Sequence, residues 1–116
     1  MTPKDPRLEP QSFAKHFNEV LILSALRRGA KHGYQLALDI EERSGGEFGF
    51  KHGTLYPIPH KLEKEGLIAG AWSDEGQRGR RKLYRLTGAG EDYLRSLREV
   101  WSRFMERFSD VTEEES

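Results

Sequence analysis

The sequence predicts a small α+β domain, mainly α: three helices, a two-stranded hairpin and a longer terminal helix. Three observations predict it. Apolar residues recur at spacings of three and four in four separate segments, the mark of helices with one buried face. The period shortens to two in a pair of segments on either side of residues 73–80. Glycine follows each of the first three helical patterns, at Gly29, Gly45-Gly46 and Gly66, where helices stop. A chain of 116 residues suits one domain with one core.

Taken in order, residues 1–12 hold three prolines and mixed charge and read as a flexible arm. The first helix begins at Phe13 and carries Phe17, Val20, Leu21, Leu23 and Leu26, with Arg27 and Arg28 in its last turn. A second runs from Gly33 to about Ser44 and buries Tyr34, Leu36, Ala37 and Ile40. Residues 47–52 connect it onward, with Phe48 and Phe50 placed to staple the connector to the core. The third helix covers about Thr54 to Glu65 with Leu55, Ile58 and Leu62 inward. Pro57 fits a first turn, where a missing N–H costs nothing. Pro59 falls on the second turn and should kink or delay the helix, since a proline forced into a regular interior costs about 3 kcal/mol.

The hairpin pairs Leu67–Trp72 with Arg81–Leu86, Tyr84 and Leu86 on one face and Leu83 and Arg85 on the other. Thr87 is suited to cap the last helix, with Glu91 and Asp92 near its positive end. Leu94, Leu97, Trp101, Phe104 and Phe108 then recur at 3, 4, 3, 4. That is a two-heptad seam, widened by Tyr93, Val100 and Met105, and it needs a cover. A second copy related by a two-fold axis would supply one, making Leu94, Leu97, Trp101, Phe104, Met105 and Phe108 the dimer interface. The tail after Asp110 is acidic and should fray.

Three helices and a two-stranded wing describe a winged helix-turn-helix, here with a C-terminal dimerisation helix. The expected divisions are the arm at 1–12, a DNA-binding domain at 13–87, the dimerisation helix at 88–109 and the acidic tail at 110–116. Charge supports DNA as partner. The net charge is zero, yet residues 51–90 carry eight Lys/Arg against four Asp/Glu, and residues 91–116 carry four against eight. Lys51, His52, Thr54, Tyr56, His60 and Lys61 set donors at or near the third helix. Arg78, Arg80, Arg81 and Lys82 sit on the wing, next to phosphates when the helix lies in a major groove. Tyr34 and Tyr56 remain open between core packing and DNA contact.

Other classes fit poorly. No segment approaches the apolar length of a membrane span or a signal peptide, so the expected location is the cytoplasm. The absence of cysteine removes disulfides and thiolate metal sites. His16, His32, His52 and His60 show no metal-binding spacing, so no metal and no cofactor is expected. Gly88-Ala89-Gly90 lacks the third glycine and the βαβ setting of a dinucleotide site, and no nucleophile motif is present, so an enzyme is not expected. A winged-helix module that binds protein without specific DNA binding is the alternative, since a fold does not fix a function. Four cations within five wing positions favour DNA.

Four blocks carry a family resemblance: His32-Gly33-Tyr34; Gly53-Thr54-Leu55-Tyr56-Pro57; Leu62 to Ile68; and Gly79 to Thr87. In this order they resemble the PadR family of bacterial transcriptional regulators, over about residues 15–108. The resemblance implies a homodimeric repressor of operator DNA, with Tyr34, Thr54 and Tyr56 on DNA-facing helices and Arg80, Arg81 and Lys82 on the wing. Pro59 stands where the family usually has an aliphatic residue. The single short terminal helix is similar to the smaller PadR subfamily. There, Ala71 to Gln77 and Glu99 to Arg103 resemble a lactococcal multidrug-responsive repressor, whose terminal-helix tryptophans line an open pore between subunits. The resemblance implies a planar aromatic ligand at Trp101, with Leu97, Val100 and Phe104 around it. Phe104 and Phe108 add bulk where that pore is open.

Overall fold

The computed structural model describes residues 13–49, 57–73 and 81–114. Helix α1, Phe13–Arg27, turns Ile22, Leu23, Ala25 and Leu26 into the core; the spacing predicts Leu23 and Leu26 there, while Val20 and Leu21 pack against it half-buried and Phe13 is exposed. Its end is held by Arg28 and Gly29, whose N–H groups donate to the carbonyls of Ala25 and Leu26. The Lys31 ammonium donates to the Ala25 carbonyl at 2.8 Å and the Gly29 carbonyl at 3.1 Å. A cation there complements the negative end of the helix.

Lys31 and His32 form a short strand, β1, that leads straight into α2, Gly33–Arg43. The Gln35 side chain accepts from the His32 N–H at 2.8 Å, satisfying a donor that the helix cannot. Leu36 and Ile40 enter the core, with Ala37 half-buried. Tyr34, expected inside, is 47% exposed. It lies a little over half a turn from Leu36, so burying Leu36 turns the tyrosine outward. Arg28 ties α1 to α2 through Asp39 at 2.5 Å. Burial opposes ionisation of Asp39, but the Arg28 hydrogen bond and the charges of Arg28, Lys31 and Arg43 outweigh it and hold the carboxyl below its ordinary range.

Helix α3, Pro57–Lys64, contains both prolines. Pro59 is the third residue of its described part, and the helix continues through it without a break. The end of α3 is a glycine-capped turn. Leu67 N–H reaches back to the Leu62 carbonyl and Gly66 N–H to the Glu63 carbonyl, both at 3.0 Å. Gly66 has φ +77°, which a side chain rarely tolerates. Leu67 then drops into the core beside Leu62 and Ile68.

Strands β2, Ile68–Ser73, and β3, Arg81–Leu86, form the hairpin. Among the described residues the sheet has three strands rather than two, in the order β1-β3-β2, all neighbours antiparallel. Its register sets Gly70 opposite Tyr84 and Trp72 opposite Lys82 on one side of β3, and His32 opposite Leu83 on the other.

Helix α4, Gly88–Thr112, starts on a cap in which the Thr87 hydroxyl accepts from Gly90 N–H at 3.0 Å. The same hydroxyl lies 2.7 Å from the Gly66 carbonyl, so the start of α4 is moored to the end of α3. Gly90 is buried there, and a β-carbon on it would strike the Leu67 carbonyl. Tyr93, Leu94 and Leu97 complete the core. The Tyr93 hydroxyl donates to the Glu19 carboxylate at 3.0 Å, joining α4 to α1 inside the protein. Burial, then the Glu19 charge and hydrogen bond, push the Tyr93 hydroxyl well above its ordinary pKa.

Beyond Trp101 the helix leaves the core: from Ser102 to Glu114 every residue is exposed except Phe104, which is half-buried. The helix passes the expected end at residue 109 and reaches Thr112, with Glu113 N–H still bonded to the Ser109 carbonyl. Arg107 and Asp110, three residues apart and 2.9 Å between charged atoms, favour that last turn.

Candidate nucleic-acid interface

The exposed face of α3 is set by what the other face buries. Pro59 and Leu62 point into the protein, leaving Pro57, His60, Lys61 and Lys64 exposed. These four fall at i, i+3, i+4 and i+7 and therefore form one stripe. His60 and Lys61 were candidates from the sequence. Lys64 joins them, and the helical spacing from Lys61 was the signal for it.

A second cluster lies at the start of α2. The Tyr34 ring stacks on His32, with centroids 6.1 Å apart and planes 3° from parallel. The Arg81 guanidinium lies 5.2 Å from the Tyr34 centroid, and its Nη1 donates to the Tyr34 hydroxyl at 3.2 Å. Cation–π and hydrogen-bond contact hold Arg81 in place while leaving it at the surface. His32 is fixed in turn, its Nδ1 3.2 Å from the Lys82 carbonyl. Tyr34 and Arg81 are thus brought together from segments 47 residues apart.

Lys82, expected beside Arg81 among the phosphate contacts, points the other way, as alternate residues of a strand must. Its ammonium is 2.6 Å from the Glu63 carboxylate of α3. It also lies 5.5 Å from the Trp72 centroid and 5.7 Å from that of Tyr84. The Glu63 hydrogen bond, the largest influence, raises the pKa of Lys82. Lys51, His52, Thr54, Tyr56, Arg78 and Arg80 lie outside the described residues.

The expected interface and ligand residues divide in two. Leu94 and Leu97 are 2% and 0% exposed, covered by the chain's own core rather than by a partner. Periodicity identified the stripe correctly, but α1 takes its first half. Val100 is half-buried. Trp101 is enclosed by Phe13, Phe17 and Phe104, with centroids 5.0, 5.8 and 5.7 Å away. Its indole N–H is buried with no acceptor among the described residues. Phe48 extends the cluster through Phe17 at 5.0 Å, so the connector is stapled as predicted at that position; Phe50 lies outside the described residues. Met105 and Phe108 are 53% and 52% exposed, and Val111, one turn on, is more so. An open groove of about 700 Å³ runs along another face of α4, lined by Arg27, Arg95, Arg98 and Ser102 among others; Trp101 does not line it.

The profile of the transcriptional regulator PadR-like family matches residues 22–96. The chain belongs to the PadR-like family of transcriptional regulators. Its members regulate transcription and are not enzymes, and the winged-helix fold is shared with solved PadR-like structures. A transcriptional regulator from Clostridium thermocellum superposes with TM-score 0.79 at 27% identity, over 85% of this chain and 96% of that one. A PadR family regulator from hypervirulent Clostridium difficile R20291 gives TM-score 0.67 at 34% identity, over 81% and 95% of the two chains. The negative transcriptional regulator PadR of Bacillus subtilis is 34% identical over 73 residues, 63% of this PadR-like chain and 40% of its own length. Its structure with operator DNA matches at TM-score 0.60 and 32% identity, over 66% of this chain and 44% of that one. Among the described residues, no helix of the PadR-like chain is long and apolar enough to cross a membrane.

Proposed function

We propose that this PadR-like chain is a homodimeric repressor that binds operator DNA, working in the cytoplasm where the chromosome lies. The observation that carries the reading is the exposed stripe His60, Lys61 and Lys64 on α3, with Arg81 set at the surface by Tyr34. A helix of this kind enters a major groove while the wing and the start of α2 meet phosphates. The Bacillus subtilis relative, solved with operator DNA, supports the same use of this fold. Lys51, His52, Thr54, Tyr56, Arg78 and Arg80 are proposed contacts on sequence grounds.

The dimer is proposed from the terminal helix. Its last three turns project from the core and keep Met105, Phe108 and Val111 exposed. A projecting helix of that length gains little stability alone, and a second copy would cover its apolar side. Half-sites would then lie about one helical turn, ~34 Å, apart. A planar aromatic ligand that entered the interface beside Trp101, near Val100 and Phe104, would have to displace Phe13 or Phe104 from the indole. It would release DNA if it favoured one spacing of the two reading helices over another.

Lys61→Ala tests the DNA surface, with affinity for a fragment of the gene's own upstream region read over a salt series. A lost phosphate contact weakens binding on any sequence and reduces the salt slope by about one. Unchanged affinity and slope would move the reading to a protein partner. Tryptophan fluorescence titrated with planar cationic dyes tests the ligand. Quenching that disappears in Trp101→Phe supports it, and quenching that persists refutes it.

A further inference from the structure

An ion pair joins the wing to the reading helix. Lys82 of β3 meets Glu63 of α3 at 2.6 Å, with both side chains about three-quarters buried at 23% and 26% exposure. Trp72 and Tyr84, on the same sheet face, flank the ammonium. The lysine stem reaches that carboxylate by crossing diagonally over Gly70, where β2 has no side chain. A β-carbon at Gly70 would collide with Lys82 Cε and stand 2.9 Å from Glu63 Oε2. A glycine weakens a strand interior unless something must pass close to it. Here the passing group is the lysine.

We infer that Lys82, Glu63 and Gly70 form a tie that fixes the angle of the wing against α3. Lys82 is a positioning residue, then, and not a phosphate contact. The inference rests on the DNA-binding reading above and adds a specificity device to it. Arg81 and Lys82, adjacent in β3, divide the labour. Arg81 stays outside on Tyr34, and Lys82 turns inward to hold the surface that carries Arg81 in register with His60, Lys61 and Lys64. Operator DNA must satisfy wing and helix together, whereas non-specific DNA can meet either alone. A loosened tie therefore costs discrimination more than affinity for random sequence.

The test compares wild type, Lys82→Met, Glu63→Gln, their double variant and Gly70→Ala on operator and scrambled DNA over a salt series. Gly70→Ala matters most, because it keeps every charge and only pushes the lysine aside. The tie requires each single variant to lower the operator-to-scrambled affinity ratio, by about tenfold for a coupled contact pair. The double variant should lose no more than either parent, and Gly70→Ala should keep the wild-type salt slope. If Lys82 is a phosphate contact, Lys82→Met weakens binding to both DNAs with a slope shallower by about one. Glu63→Gln then strengthens binding by releasing the lysine, and that opposite sign would overturn the inference. Amide hydrogen exchange at Trp72, Ser73 and Arg81 without DNA reads the tie itself. Equal acceleration in the three single variants supports it, and unchanged exchange refutes it. Accelerated exchange in a protein with no operator preference would refute the DNA-binding reading while leaving the tie in place.

Discussion

Leu97 and Phe108 belong to one apolar stripe of α4, and substituting each with aspartate should produce opposite failures. Leu97 is fully buried by the chain's own core. Truncating such a leucine costs about 2–5 kcal/mol, and a buried carboxylate adds several more. Against a typical total stability of about 5–15 kcal/mol, Leu97→Asp should not fold. Phe108 is 52% exposed, so about half its apolar surface remains for a partner to cover. Burying a whole phenylalanine is worth about 1.5–3 kcal/mol, so that half is worth ~1 kcal/mol per copy and about twice that in a two-fold dimer. Phe108→Asp should fold normally and raise the dimer dissociation constant at least ~30-fold. Sedimentation over a dilution series measures the assembly, and circular dichroism confirms the fold. Wild type monomeric throughout the series, or Phe108→Asp dimerising like wild type, would show that this stripe does not join two copies.

Other consequences concern the fold around the site. Gly90→Ala should destabilise by about 1–3 kcal/mol, because its β-carbon meets the Leu67 backbone carbonyl, which cannot swing away. Gly88→Ala, with nothing within 4 Å, should be close to neutral; urea midpoints compare the two. Tyr93 supplies a pH dependence. Its folded pKa is raised, so its contribution is complete below the unfolded value of ~10 and is lost as pH rises above it. Stability of wild type should therefore fall with pH in that alkaline range more steeply than stability of Tyr93→Phe, as denaturation at a series of pH values would show. Equal slopes would contradict the buried Glu19 contact.

The elements were legible where local rules act alone. Glycines at 29, 45–46 and 66 ended helices, and Thr87 capped α4. Strand β1 was not, since two residues carry no period, and it forms only because β3 has a free edge. The heptad spacing marks the seam as apolar, yet it does not say whether α1 or a second copy covers it. Leu94 and Leu97 went to α1 because the Thr87 cap and the Gly90 contact dock the start of α4 onto the core. The wing charges show the same limit. A run of cations announces a positive surface, but alternation along β3 sends Lys82 inward, toward a glutamate 19 residues earlier. Gly70 was the available clue: a glycine within a strand that something must cross. Tyr34 left the core because Leu36 claimed it, and Arg81 gave its hydroxyl a partner at the surface.

Fluorescence anisotropy of wild type on a labelled fragment of the gene's own upstream region, over a salt series and against scrambled competitor, measures operator recognition itself. Specific regulators bind their sites about 10³-fold or more tighter than random sequence. Competitor-resistant binding of that order, weakening steeply with salt, is the expected result. Equal, weak binding to both DNAs would mean that this chain does not recognise an operator there.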